Sequence, residues 1–127
     1  MFDINKHILY WRDGATKDLQ FADRLIKRDQ EIAYGLFFVH LALEKAIKAC
    51  VSKQTKQVPP RIHNLLVLAK LAEINLSQEQ SDYCTRMNLY NIEGRYPDMY
   101  FPLPSLEKAK EYLALAKEMI KWLLDQL

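Results

Sequence analysis

The chain has 127 residues and a net charge of +2, and half of its residues are hydrophobic. This composition is typical of one globular domain of residues 1–127, and it excludes a disordered tail or a collagen-like repeat. Cys50 and Cys84 each lie in an apolar-periodic segment, so we expect buried free thiols rather than a disulfide or metal pair. The N-terminus lacks the features of a secretory signal, which favours a cytosolic protein.

Apolar residues recur every three or four positions along most of the chain, which predicts helices. The first helix is expected over about 5–28 and the second over about 31–53. Pro59 and Pro60 break the chain, and a shorter third helix is expected over about 61–74. No uncharged helical stretch approaches the roughly 20 residues of a membrane span.

Capping signals define the last two helices. Ser77 and Gln80 resemble a capping box that starts a fourth helix, and Ser105 with Glu107 starts the last one. Amphipathic helices with short connections bury their apolar stripes against one another. The sequence therefore predicts an all-α fold, an antiparallel four-helix up-and-down bundle with an additional short helix.

Positive charge is concentrated in the middle of the chain. Residues 45–72 contain six basic residues and no acidic residue, so the rest of the chain carries a net charge of −4. Either this segment is a solvated basic surface or it binds phosphate. The total charge is small for an extended nucleic-acid groove, which favours a mononucleotide or short RNA over double-stranded DNA.

A polar group interrupts the apolar face of the second helix. His40, Glu44 and Lys48 are spaced i, i+4, i+8 and therefore share one face. The group predicts either a core cluster, with Glu44 bridged to Lys48 or to another base and His40 bonded to a neighbour, or part of a site. Two ligands are too few for a metal site, and we expect neither a metal nor a cofactor.

The segment before the last helix is rich in aromatic and charged residues. Arg95 offers a planar fork for phosphate, Tyr96 and Tyr100 offer faces for stacking a base, and Asp98 is suited to orienting the arginine. A loop pinned to the bundle by its tyrosines, with Arg95 paired to Asp98, is the alternative.

Four ordered pieces of the sequence resemble the HEPN domain, a nucleotide-binding module of higher eukaryotes and prokaryotes. These pieces are Trp11 with Ala15, Asp18-Leu19 and Ala22, then 37–49, then 59–65, then 94–98. The resemblance spans nearly the whole chain. It implies a four-helix bundle with an extra short helix, assembled as a homodimer.

Many members of the family are metal-independent ribonucleases that use an arginine and a histidine a few residues apart. Here no histidine follows Arg95, and Arg86 is followed after four residues by Asn91, whose amide cannot carry a proton. Another branch is similar to the companion subunits of minimal nucleotidyltransferases, often found as toxin and antitoxin pairs. This sequence fits that branch better.

The favoured interpretation is thus a non-catalytic bundle that binds an ATP-like nucleotide or short RNA beside a separate nucleotidyltransferase subunit. Arg95, Lys48 and Arg61 are expected to bind the anion, with Lys45 in the same basic segment. Tyr96 or Tyr100 would stack on the base, and Glu44 and Asp98 would orient these groups. His63 is expected at the start of the third helix, where its ring either approaches a phosphate or packs against the helix start.

Two other interpretations remain open. One is a ribonuclease whose proton carrier is His40 or His63. Either histidine would be brought to the arginine by the fold, since neither lies a few residues after it in the sequence. The other is a structural dimerisation or adaptor bundle without a ligand. Dimerisation itself is expected because the apolar stripes of the first and last helices are broad. Trp11, Phe21 and Trp122 point in several directions around these helices, and a domain this small does not bury all of them by itself.

Overall fold

The structure is a computed structural model that describes residues 3–91 and 102–127. Over these residues the regular secondary structure is entirely helical: there are five helices and no strand. The helices are α1 (Ile4–Lys27), α2 (Ile32–Thr55), α3 (Leu65–Leu71), α4 (Gln78–Asn88) and α5 (Leu106–Leu124). This arrangement confirms the all-α helical bundle.

Local side-chain chemistry explains where the helices begin. The Ser77 hydroxyl accepts the Gln80 N–H while the Gln80 side chain accepts the Ser77 N–H, so the capping box is confirmed. Ser105 caps α5 by accepting the Lys108 N–H, with Glu107 in the first turn. Each cap satisfies a backbone donor that the helix itself leaves unpaired.

The third helix is shorter than the sequence predicts. It begins at Leu65 because Asn64 acts as its N-cap, accepting the Leu66 N–H, and residues 61–63 are not helical. It ends before Glu73, whose φ of 55° lies in the left-handed region. The expectation of helix over 61–74 is therefore wrong at both ends, and His63 precedes the helix instead of lying in it.

α2 is the central element of the bundle. It packs against each of the other four helices, and between Ala42 and Ser52 only Lys45 is not fully buried. The long buried stretch of α2 agrees with its sequence, which is apolar on nearly every side of the helix. The core therefore surrounds α2, and the polar residues of this helix are drawn inside with it. The largest fully buried side chains include Ile26, Leu36, Leu43, Ile47, Leu65, Leu68, Met87, Leu113 and Leu123.

Close approach between α1 and α2 depends on Gly35. A Cβ atom built on Gly35 would lie 2.3 Å from Cγ1 of Ile26, a fully buried side chain of α1. Such a separation is far below van der Waals contact, so only glycine fits here.

Among the described residues, no helix combines the length and the apolar character that crossing a membrane requires.

Candidate functional site

A polar cluster lies where α2 meets the segment before α3; it consists of the buried residues His40, Glu44 and Lys48 and of the partly exposed His63. Glu44 is 4% exposed and Lys48 is 5% exposed, and the Lys48 Nζ donates to Glu44 Oε2 at 2.9 Å. Burying either charge alone would cost several kcal/mol, on the order of 3–5 kcal/mol when one partner is lost. The two groups therefore stay inside the fold as a pair, as the core interpretation of the i, i+4 spacing predicts.

His63 reaches this pair from outside α2. Its Nδ1 lies 2.9 Å from Glu44 Oε1, and its side chain is 40% exposed. Because an ionised carboxylate only accepts hydrogen bonds, Nδ1 carries the proton and donates it to Glu44. Glu44 thus accepts from Lys48 through one oxygen and from His63 through the other, and it holds the imidazole in a defined orientation.

His40 holds the segment before α3 in place through a hydrogen bond to its backbone. Its Nε2 lies 2.9 Å from the His63 carbonyl oxygen, so Nε2 must be the protonated nitrogen of the ring. Burial lowers the pKa of His40, because desolvation of the imidazolium outweighs the favourable effects of Glu44, the His63 carbonyl and Asn88. At 1% exposure His40 is a neutral structural donor and does not meet solvent.

Two asparagines complete the anchoring of residues 61–65. The Asn88 amide donates to Asn64 Oδ1 at 3.0 Å, and Asn88 Oδ1 accepts the Leu65 N–H at 3.0 Å. Neither asparagine was predicted from the sequence to lie at this site. Asn64, a polar residue directly before an apolar run, carried an N-cap signal, whereas nothing near Asn88 in the sequence indicated its partner.

The predicted basic segment does not present all of its charge to solvent. Lys48 is paired with Glu44 and also lies over the Trp11 ring, with Nζ 5.3 Å from the ring centroid. Lys45 pairs with Asp18 of α1 at 2.7 Å. Two of the six bases are thus matched by carboxylates that lie outside residues 45–72, and an anion would have to compete with them.

Among the described residues that are predicted to bind the anion, Arg61 is the exposed one. It lies two residues before His63 in the segment that the polar cluster anchors. The structure therefore brings Glu44, Lys48, His63 and the backbone that carries Arg61 together, whereas Lys45 points to α1. Arg95, Tyr96, Asp98 and Tyr100 lie outside the described residues.

Neither cysteine belongs to this site. Cys50 and Cys84 are buried free thiols, as predicted. Burial raises the pKa of Cys50 to about 11 and that of Cys84 to about 12. Both thiols therefore stay protonated at neutral pH and are poor nucleophiles.

Comparison with known proteins identifies the family. A search of curated proteins and of solved structures finds no match. The family model of the HEPN domain matches residues 8–127, nearly the entire chain, in agreement with the helical bundle and with the pieces of sequence that resemble this family. The chain therefore belongs to the HEPN domain family.

Proposed function

We propose that this HEPN domain is a non-catalytic nucleotide-binding subunit that works beside a separate nucleotidyltransferase. Membership of the family suggests nucleotide binding or ribonuclease-type activity. The sequence supports the first, because no histidine follows Arg86 or Arg95 at the spacing that the ribonucleases use. We further propose a homodimer, as the resemblance implies.

The observation that carries the proposal is the contact between His63 and Glu44. This 2.9 Å contact docks the segment that carries Arg61 against α2. A phosphate at this segment would accept charge-assisted hydrogen bonds from the Arg61 guanidinium. When the His63 imidazole is protonated at both nitrogens, its Nε2 would donate a further one, since Nδ1 is bonded to Glu44. Arg95 would add a second guanidinium, Tyr96 or Tyr100 would stack on the base, and Asp98 would orient Arg95.

The buried charges leave the electrostatic potential favourable to an anion. Lys48 balances the negative charge of Glu44, so the carboxylate that orients His63 does not add a net negative charge to the site. Lys45 and Asp18 cancel in the same way. The exposed Arg61 then makes the local electrostatic potential positive. Glu44 and Lys48 act as positioning residues for His63.

Calorimetric titration with ATP tests this function. We expect Arg61→Ala and Arg95→Ala each to weaken binding roughly tenfold, the loss of one charge-assisted contact to phosphate. Arg28→Ala is the matched control, since Arg28 pairs with Asp29 at the turn between α1 and α2. Equal heats for wild type and both site variants, with no rise in melting temperature on adding ATP, would favour the structural adaptor instead.

One observation favours a second candidate, a ribonuclease that uses His63. A carboxylate that accepts from Nδ1 orients an imidazole for proton transfer at Nε2, the arrangement found in many general bases. The structure makes His63 the better candidate, because His40 is buried with its Nε2 bonded to a carbonyl.

Incubation with single-stranded RNA in the presence of a chelator separates the two functions. Cleavage that is lost in His63→Ala but retained in His7→Ala would establish the ribonuclease. Absence of cleavage by the wild-type chain, together with ATP binding that depends on Arg61, would establish the binding subunit.

A further inference from the structure

A concave surface lies away from the polar cluster. A cavity of about 730 Å³ lies between the beginning of α4 and the second half of α5, and we name it the α4–α5 groove. Tyr83, Leu115, Met119 and Trp122 supply much of its apolar lining. Trp122 is 38% exposed and Leu115 is 45% exposed, so large apolar side chains stand open to solvent. The volume is within the range of ligand-binding clefts, roughly 300–1,000 Å³.

The sequence of α5 explains why the groove is apolar. One face of α5, which includes Leu113, Ile120 and Leu123, is buried in the core against α1 and α2. Leu115, Met119 and Trp122 lie along the groove at spacing i, i+4, i+7; Met119 is a buried core residue, and Leu115 and Trp122 are exposed. A stripe of this spacing is the surface that one amphipathic helix presents to another.

The charge of the groove has one sign. Its lining contains Glu79 and Glu118 and no basic residue. Lys117 and Lys121 lie nearby on α5, but Lys117 pairs with Asp23 of α1, and Lys121 pairs with Asp125 at 2.9 Å. Within residues 3–91 and 102–127, neither Glu79 nor Glu118 has an ion-pair partner.

The two carboxylates do not contribute equally. Glu79 lies in the first turn of α4, where its charge partly offsets the positive end of the helix dipole. Glu118 has no such compensation, because it lies in the second half of α5. The negative potential beside Trp122 therefore comes mainly from Glu118, and a basic ligand is complementary to it.

We propose that the α4–α5 groove binds an amphipathic, basic segment of a partner protein. Apolar side chains of that segment at i, i+3 or i+4, and i+7 would fill the groove over Met119 and Trp122, and flanking Lys or Arg residues would pair with Glu118. This site uses none of the residues assigned to nucleotide binding, so its failure and the failure of nucleotide binding are distinguishable. A homodimer that covers Trp122 would exclude it.

Selection from a displayed library of random 16-residue peptides tests the proposal with the full chain as bait. Trp122→Ala serves as bait for the counter-selection. We expect enriched peptides with apolar residues at helical spacing and an excess of Lys and Arg over Asp and Glu. Calorimetric titration of an enriched peptide should then show Trp122→Ala and Glu118→Lys each weakening binding about tenfold or more.

Glu111→Lys is the control for charge, because Glu111 is an exposed residue of α5 outside the groove, where it pairs with the exposed Lys108 at 3.1 Å. We expect it to change the affinity less than about twofold, as is usual for a charge outside a contact. Three results would overturn the proposal: no enrichment that depends on Trp122, enriched peptides that are acidic, or self-association of the chain that Trp122→Ala abolishes. The last result would place a second copy of this chain in the groove.

Discussion

The interface between α1 and α2 differs sharply from the α4–α5 groove. At the first, helices approach so closely that Gly35 leaves no space for a methyl group, and the bundle encloses the charges of Glu44 and Lys48. At the second, Trp122 and Leu115 remain exposed between helices that do not close over them. The comparison shows that burial in this protein follows the position of a helix in the bundle more than the polarity of each residue.

Glu44 provides the strongest test of the tightly packed region. Glu44→Gln keeps the shape of the side chain but leaves the buried Lys48 ammonium without a counter-charge. We expect the free energy of unfolding to fall by about 3 kcal/mol or more, measured by urea denaturation.

The double variant Glu44→Leu/Lys48→Met is its control, since it removes both charges together. We expect the double variant to be more stable than Glu44→Gln, because no unpaired charge remains in the core. A double variant as unstable as the single one would contradict this account and would assign the loss to packing instead of charge.

Two glycines sharpen the comparison at a smaller scale. Gly35→Ala should destabilise the protein by about 1–3 kcal/mol, because its methyl group meets the buried Ile26. At Gly14 a new Cβ would lie 3.0 Å from Cδ of Lys45, part of a long side chain that can shift. Gly14→Ala should therefore stabilise the protein by up to about 1 kcal/mol, from helix propensity, in the same denaturation assay. Equal effects of the two substitutions would show that the close approach of α1 and α2 is not needed.

The pH dependence of stability tests the burial of His40. Its pKa in the folded state is lowered from 6.5 by burial, so below pH 6.5 the unfolded chain binds the proton more readily. The free energy of unfolding should therefore fall as the pH drops below 6.5, and above this value His40 has no effect.

Asp23 affects stability at lower pH than His40 does. The hydrogen bond from Lys117 lowers the pKa of Asp23 below 3.8, so the stabilisation by this carboxylate is lost only on further acidification.

His40→Gln isolates the contribution of His40 to this profile. The amide of glutamine retains a donor for the His63 carbonyl oxygen but does not titrate. We expect a flatter dependence between pH 6.5 and the range where carboxylates titrate, as followed by thermal unfolding in a pH series. An unchanged slope would assign the dependence to a group other than His40.

The smallest effects are expected in the open region. Leu115→Ala removes an apolar side chain that is 45% exposed, so little buried surface is lost. The free energy of unfolding should fall by less than about 1 kcal/mol, as is usual for surface substitutions. A loss above about 2 kcal/mol would indicate that Leu115 is packed like a core residue.

Local sequence rules predicted most of the helical framework. The capping box at Ser77 and the N-cap at Ser105 depend on residues three positions apart, and such contacts form within one turn. The pairing of Lys48 with Glu44 is equally local, because residues at i and i+4 share a helix face. The third helix was overestimated because the chain at 61–63 is held by partners that are distant in sequence.

What the sequence alone determined is therefore the number of helices, the caps at Ser77 and Ser105, the buried thiols and the likeness to the HEPN family. Only the tertiary structure decided that Glu44 meets His63, that Lys45 meets Asp18, and that Trp122 faces an open groove. The physical reason is that helix periodicity fixes which residues share a face, whereas the neighbour of each face depends on how all the helices pack together. Charge counted along the chain thus predicted a basic surface, and carboxylates from outside the segment neutralised part of it.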